Sequence, residues 1–336
     1  MEKKKIKFGV LGCGNIGRVH IRAIDELEDG ELIAVCDNDG GRVKKIAEEY
    51  GTKAYTSYEE MLLDGDIDAI AICTPSGMHK EQATRALLAD KHIILEKPMA
   101  LTAADAEELC RRAEKSNKLL SVVFQMRFSK DIQFVKRLIE EGSLGRLVLC
   151  NLSMKYWRDK SYFEASPWRG TVAMDGGGAL MNQGIHGIDI MHYLLGVPRV
   201  LSSRVKTLVH TIEVEDTALA LLEYPSGAIG TVEAATSITP GFGRRIEIHG
   251  TRGYAVISDL HIEKLYIDGK MLVDREVAVS LGSASDPTKM QHGSHLLQYK
   301  NFVGAINGEE ELVSTAHDGL AAIKTIERIY ELSPRD

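Results

Sequence analysis

The first 125 residues switch repeatedly between two hydrophobic periodicities. Continuous apolar runs at 6–11, 32–36, 68–74, 92–95 and 119–124 are separated by stretches with apolar residues every three or four positions. Short unbroken runs predict buried strands. The spaced stretches predict amphipathic helices near 16–27, 41–50, 58–63, 78–88 and 102–115. Thr102 followed three residues on by Asp105 predicts a capped start for the last of these. Strands alternating with helices predict a parallel sheet with helices on both faces, a doubly wound α/β fold over residues 1–125.

Past Phe128 the rhythm changes. After a helix at 132–141, alternating patterns predict strands at 147–155, 200–208, 216–224, 228–235, 244–248, 254–257 and 264–267. Glycine-containing turns such as PSGAIG and GTRG between them predict hairpins. Helices are expected at 179–195, 294–306 and 316–332, and a polar loop at 282–293. Residues 126–336 are therefore expected to form a second, α+β domain with an open, mostly antiparallel sheet, for substrate binding and oligomerisation. Ala218, Ala220 and Leu222 alternate along one strand and are expected to line its bare face. A large bare apolar face marks an interface, so a homodimer or homotetramer built through this sheet is expected.

Composition narrows the partners. The formal net charge of −7 in 336 residues argues against nucleic acid or an anionic membrane as a main partner, since both call for basic patches. Cys13, Cys36, Cys73, Cys110 and Cys150 are dispersed, with no C-x-x-C, and read as reduced core residues. No signal-peptide core or bilayer-length apolar run is present, so a cytoplasmic location is expected.

The chemistry begins at residues 12–17. Gly12, Gly14 and Gly17 fit G-x-G-x-x-G between a strand and a helix. The first glycine permits the turn, the second lets a phosphate approach, and the third brings helix and strand together. The helix start, with Asn15 and Ile16, turns N–H groups and a positive dipole end toward a pyrophosphate. Asp37 ends the second strand, about 20 residues beyond the motif, where a carboxylate accepts a ribose 2′-hydroxyl and repels a 2′-phosphate. NAD is the expected cofactor. Ligands of such sheets bind at the carboxyl ends of the strands. The other exits therefore join the cofactor list: Thr74, Pro75 and His79; Glu96 and Lys97; Gln125 and Arg127.

Two places carry reactive side chains. Lys97 stands at a strand exit in Glu96-Lys97-Pro98, where the following proline holds it extended. The second is DGGGALMNQGIHGID, residues 175–189. Three glycines ahead of a helix suggest close backbone approach. Asn182 and His186 share a helix face at i, i+4, and Asp189 is placed to orient the imidazole. Polar Asn182 and Gln183 on an apolar helix call for partners that a substrate supplies. Lys155, Arg158, Arg169 and Arg127 can hold a carboxylate or diphosphate, and Tyr156 and Trp168 can stack on sugar or cofactor. No metal is expected, because His186, Asp189 and His192 do not share one face.

GCGNIG, CTPSGMH, EKP, QMRF and GGGALMNQGIHGIDIMHYLLG together resemble the Gfo/Idh/MocA oxidoreductases over essentially the whole length. The resemblance implies a Rossmann domain followed by an α/β domain with an open sheet. It implies hydride transfer between NAD(P) and a sugar or cyclitol alcohol. By position, Lys97 matches the family's EKP lysine, His186 its catalytic histidine, and Glu96 a residue at the nicotinamide-side ribose. Inositol dehydrogenase-like members carry Asp where this chain has Asn182. WRGT and DGGGALMNQGIH are similar to the branch that oxidises UDP-N-acetylglucosaminuronate at the 3-hydroxyl. Catalytic roles thus fall to Lys97, His186 and Asn182. Cofactor contacts extend to Trp168 and Arg169, and substrate contacts to Tyr156 and Arg158. Two other readings stay open: a glycosidase that uses NAD transiently, and a non-catalytic NAD-binding sensor.

Overall fold

The computed structural model describes residues 5–277 and 292–334. Residues 282–291 of the expected polar loop lie outside the described residues, and Gly293 already belongs to a helix. The chain divides into two compact units. One is Met1–Gln125 with Thr288–Leu320, and the other is Met126–Pro287 with Ala321–Asp336. The sequence pattern groups all of 126–336 together; of the described residues, 292–320 join the first unit instead.

In the first unit β1 (Ile6–Leu11), β2 (Gly30–Cys36), β3 (Lys53–Tyr55), β4 (Ala69–Ile72), β5 (His92–Leu95) and β6 (Leu120–Val122) form one sheet in the order β3-β2-β1-β4-β5-β6. Every neighbouring pair is parallel. The connecting helices are α1 (Asn15–Asp25), α2 (Gly40–Tyr50), α3 (Tyr58–Leu62), α4 (His79–Leu88) and α5 (Ala103–Ser116). Thr102 caps α5 by accepting the Asp105 N–H at 3.2 Å, as its spacing predicts. Phe8, Val10, Ile21, Ile24, Val43, Ile46, Tyr299 and Phe302 make one buried cluster. Tyr299 and Phe302 come from α10 (Gly293–Ile306), which is how the late segment is tied into this unit.

The second unit carries α6 (Lys130–Glu140), β7 (Leu147–Lys155), α7 (Lys160–Glu164) and α8 (Val172–Asp175). A π-helical turn at Ala179–Gly184 then leads into α9 (Ile185–Leu195), where a single α-helix was expected. Strands β8 (Arg199–Lys206), β9 (Thr217–Glu223), β10 (Ile229–Ala235), β11 (Arg245–Gly250), β12 (Gly253–Ser258), β13 (His261–Ile267) and β14 (Lys270–Asp274) follow. With β7 they form a sheet ordered β14-β13-β12-β11-β7-β10-β9-β8. Only β7 and β10 run parallel. The last helix, α11 (Ala316–Leu332), crosses from one unit to the other at Leu320.

One expectation is reversed. Ala218, Ala220 and Leu222 are buried at 4%, 2% and 1% exposure, so they face the core and not the bare side. The open side holds Leu149, Leu219, Leu221 and Ile229, all at 39% exposure or more. Strand β9 is apolar on both faces, so a period of two cannot say which face is covered. Among the described residues no helix is long and apolar enough to cross a membrane.

Candidate active site

The glycine turn is built by β1, α1 and the neighbouring exit of β4. Gly12 has φ +90°, and a Cβ there would stand 2.7 Å from the Cys73 carbonyl oxygen. Gly17 is closer still, since its Cβ would meet the Gly12 carbonyl oxygen at 1.9 Å. Gly14, by contrast, faces open space. It is the N-cap of α1 and supplies no side-chain cap, so the first N–H groups of that helix have no side chain competing for them. An open glycine at a bare helix start fits a dinucleotide pyrophosphate.

Asp37 accepts the Cys13 N–H at 2.7 Å and the Asp39 N–H at 2.9 Å. The Arg42 guanidinium lies 3.2 Å from the same carboxylate. Asp37 therefore locks the glycine turn to the end of β2 and also holds an arginine beside the expected ribose position.

His79 bridges two other exits. Its Nδ1 lies 2.7 Å from the Pro98 carbonyl oxygen and its Nε2 2.9 Å from that of Thr74. Burial pushes its pKa down while both carbonyl contacts push it up, and the net shift is downward. A neutral ring donates to only one of the two. Its role in this geometry is to tie the loops around Thr74, Pro75 and Lys97 together.

Glu96 turns inward. Its Oε1 pairs with His20 Nε2 at 3.0 Å, and His20 Nδ1 meets the Tyr299 hydroxyl at 2.7 Å. Burial raises the Glu96 pKa, but the His20 hydrogen bond and the charges of His20 and Lys97 outweigh it, leaving about 2. Its other oxygen accepts the Lys97 backbone N–H at 3.1 Å. Lys97 itself is half-buried. Gln125 ends the unit buried, with its Oε1 lacking any partner, which suits a ligand N–H.

In the second unit the three glycines are explained by protein, not ligand: Gly176 ends α8 at φ +76°, and the other two pack against neighbouring segments. A Cβ on Gly178 would lie 1.8 Å from the Glu215 carbonyl oxygen, and one on Gly177 would lie 2.3 Å from the Tyr330 hydroxyl. Glu215 then accepts the Gly178 and Leu180 N–H groups at 2.8 Å each and the Tyr330 hydroxyl at 3.0 Å. Burial pushes its carboxyl up to about 7 against those hydrogen bonds.

This scaffold launches the π turn that carries Asn182 and Gln183 into the helix that carries His186. All three side chains are half-buried among otherwise buried neighbours. Asn182 donates Nδ2 to Asp175 at 2.6 Å, and Asp175 also accepts the Gly170 N–H at 2.9 Å. Because the turn is π-helical, the α-helical i, i+4 alignment expected for Asn182 and His186 does not carry through it.

Three expectations need correction, those for Asp189, Arg127 and Lys155. Asp189 takes the Arg127 guanidinium in a bidentate pair at 2.6–3.1 Å, with exposures of only 1% and 3%. Arg127 is thus a buried, compensated charge and not an anion-binding group. Lys155 is likewise paired, with Glu233 at 2.6 Å. Tyr156 is buried beneath Arg158, whose Cζ is 5.7 Å from its ring centre. Trp168 lies 5.6 Å from the Arg169 Cζ. His192 meets the Thr325 hydroxyl at 3.1 Å.

Sequence reading passed over Glu215, Tyr330, His20, Tyr299 and Tyr162. For Glu215 a signal existed: two adjacent acids, Glu215 and Asp216, open an apolar strand, where a charge must find partners. His20, Tyr299 and Tyr330 are ordinary core-type residues whose partners are distant in sequence, and Tyr162 gains its interest only from the two arginines on its ring.

A parallel sheet in this strand order, an open glycine turn and an acid ending β2 define the class of dinucleotide-binding oxidoreductases. Residues 6–124 match the model of an oxidoreductase family with an NAD-binding Rossmann fold, and residues 132–256 match the GFO/IDH/MocA C-terminal domain. The chain belongs to the Gfo/Idh/MocA oxidoreductase family, and its first unit is the NAD-binding domain. It is 28% identical over 335 residues to the uncharacterised oxidoreductase YrbE of Bacillus subtilis, covering 95% of this chain and 92% of the relative. It is 27% identical over 254 residues, 74% of each chain, to myo-inositol 2-dehydrogenase of Thermotoga maritima. The WlbA dehydrogenase of Bordetella pertussis, solved with NADH and UDP-GlcNAcA, matches at TM-score 0.87 and 29% identity over 99% of this chain and 100% of that one. The protein is an NAD-dependent enzyme of the sugar and cyclitol oxidoreductase class.

Proposed function

We propose that this enzyme oxidises a secondary alcohol of a nucleotide-linked sugar, and that UDP-N-acetylglucosaminuronate, reacting at its 3-hydroxyl, is the substrate. The carrying observation is the π turn and helix on which Asn182, Gln183 and His186 are half-open polar side chains among buried neighbours. An amide at 182 holds a sugar hydroxyl without competing with His186 for its proton. The full-length likeness to WlbA supports the same substrate.

Bound NAD supplies the hydride acceptor. His186 accepts the hydroxyl proton, a task suited to a group that titrates near neutrality and worth roughly 10²–10⁴ in rate. Lys97 donates a hydrogen bond and positive charge to the oxygen as it becomes an alkoxide. Asn182, itself oriented by Asp175, holds the alcohol or its neighbour. On the cofactor side, Gly12, Gly14, Asn15, Ile16 and Gly17 cradle the pyrophosphate. Asp37 takes the ribose hydroxyls, Thr74, Pro75, Gln125 and Trp168 line the remaining path, and Glu96, bonded inward to His20, acts by fixing the Lys97 backbone. A cytoplasmic setting is supported by five buried free cysteines.

The test is a single-turnover assay with NAD-loaded protein and a panel of nucleotide sugars and free cyclitols. Reduction of nicotinamide by the UDP-linked uronate supports the reading, and reduction by free polyols alone removes it. Release of a sugar without net NADH would turn the assignment to a glycosidase. His186→Ala and Lys97→Ala are expected to keep NAD binding and lose turnover.

A further inference from the structure

Two of the four basic side chains expected to meet an anion are neutralised within the protein: Arg127 by Asp189 and Lys155 by Glu233. The other two, Arg158 and Arg169, have no carboxylate partner among the described residues. They lie on the ring of one residue, Tyr162, with Cζ atoms 5.1 and 4.3 Å from its centre. Their hydrogen bonds go only to neutral acceptors. Arg158 donates to the Trp157 carbonyl at 3.1 Å and to Gln183 Oε1 at 3.0 Å. Arg169 donates to the Tyr162 carbonyl at 2.9 Å. The Nε atoms of both are buried and reach no acceptor. Arg158 is only 4% exposed, and its nearest acid in sequence, Asp159, caps α7 through the Tyr162 N–H at 2.9 Å.

Two neighbouring guanidinium ions without a counter-ion, one of them buried, are costly. Burial and the Arg169 charge both push the Arg158 pKa down, but a guanidinium stays charged at any working pH. The unmet need is a planar or tetrahedral oxyanion able to take two N–H donors at once. The bond from Arg158 to Gln183, next to Asn182 and three residues before His186, ties the pair to the catalytic helix.

We infer that Arg158 and Arg169, both set against the Tyr162 ring, form a subsite for an anionic group of the substrate, a sugar carboxylate or a nucleotide diphosphate. This rests on the proposed function, which makes His186 the group that meets the sugar. A neutral polyol would leave both arginines unsatisfied. The subsite would therefore select acidic or nucleotide-linked sugars over free cyclitols.

The test needs no turnover. The chain has two tryptophans, Trp157 and Trp168, and each adjoins one of the arginines. Their emission can be followed in NAD-saturated protein, where the cofactor diphosphate is already accommodated. Titrants are UDP-N-acetylglucosaminuronate, UDP-N-acetylglucosamine, D-glucuronate and myo-inositol. A change with the UDP-uronate at least about tenfold tighter than with the neutral UDP-sugar, and also seen with D-glucuronate, assigns the carboxylate. Equal binding of the two UDP-sugars without D-glucuronate assigns the diphosphate. Either is expected to weaken by about tenfold or more in Arg158→Gln and to weaken with added salt. The inference is overturned if no anion alters the emission, if myo-inositol acts as strongly, or if wild-type binding ignores salt and Arg158→Gln binds normally. An emission response without nicotinamide reduction would sink the proposed function alone. Turnover without any anion response would sink this subsite alone.

Discussion

The carboxylate of Glu215 accepts the Gly178 N–H at 2.8 Å, and through that bond a residue at the head of a strand holds the start of the π turn that leads into α9. A second bond to the Leu180 N–H and a third from Tyr330 complete the clasp. Burial raises the Glu215 carboxyl from 4.5 to about 7. The folded state then binds more protons than the unfolded state between those values. Its stabilising contribution is full below about pH 4.5 and is lost as pH rises through about 7. Wild type is expected to lose on the order of 3 kcal/mol of stability across that window from this group. In Glu215→Gln the loss should vanish, leaving one N–H without an acceptor at every pH. Urea unfolding at several pH values checks it, and parallel slopes in both proteins would remove the argument.

Gly178 is the other half of the clasp. With an added Cβ 1.8 Å from the Glu215 carbonyl oxygen, Gly178→Ala must push β9 and the π turn apart. Overpacking of this kind costs about 1–3 kcal/mol. The displaced turn carries Asn182, so turnover should fall further than stability does. Denaturant midpoint and kcat measured on the same variant decide it; a normal kcat would show that the turn's position is not critical.

Asp37 and Arg42 are expected to set the cofactor preference together. The guanidinium is 43% exposed at its side chain and held 3.2 Å from the Asp37 carboxylate. Removing that carboxylate leaves the guanidinium, still 3.3 Å from the exposed Asp39 carboxylate, able to turn to a 2′-phosphate at that place. Asp37→Ser is expected to lower the NAD-over-NADP preference in kcat/KM by about tenfold or more. The double variant Asp37→Ser, Arg42→Ala should lose the gain for NADP. If NADP use rises equally in both, Arg42 plays no part.

The parallel, doubly wound character of the first unit could be read from sequence because its longer apolar runs are buried in the sheet and the helices between them are amphipathic. Gly12, Gly14 and Gly17 were legible for the same reason: the turn, the open face and the close contact are all local. The short elements β3, α7, α8 and β14 were not, since three to five residues carry too little pattern. The partners of charged groups were also invisible. Nothing local distinguishes Arg127, paired with Asp189 62 residues away, from Arg158, which has no acid partner among the described residues. The same holds for His20, whose tyrosine partner lies 279 residues on.

The open face of the second sheet supports the last prediction. Leu149 pairs with Ile229, and Ile229 with Glu223, in register, while Leu219 and Leu221 alternate along β9 on the same side. These four apolar side chains remain 39–50% exposed, and Lys155–Glu233 and Arg245–Glu247 ion pairs lie on the same face. An apolar centre with a charged surround is the make-up of a protein interface. We propose that two copies bury this face against each other, forming a homodimer or homotetramer. Wild type is expected to sediment above monomer mass, and Leu221→Glu, which puts a charge at the centre, to shift it toward monomer. The substitution lies on the exposed side, so the variant should fold. A wild-type monomer at micromolar concentration would refute the interface. An oligomer that tolerates both Leu221→Glu and Ile229→Glu would move it to another surface.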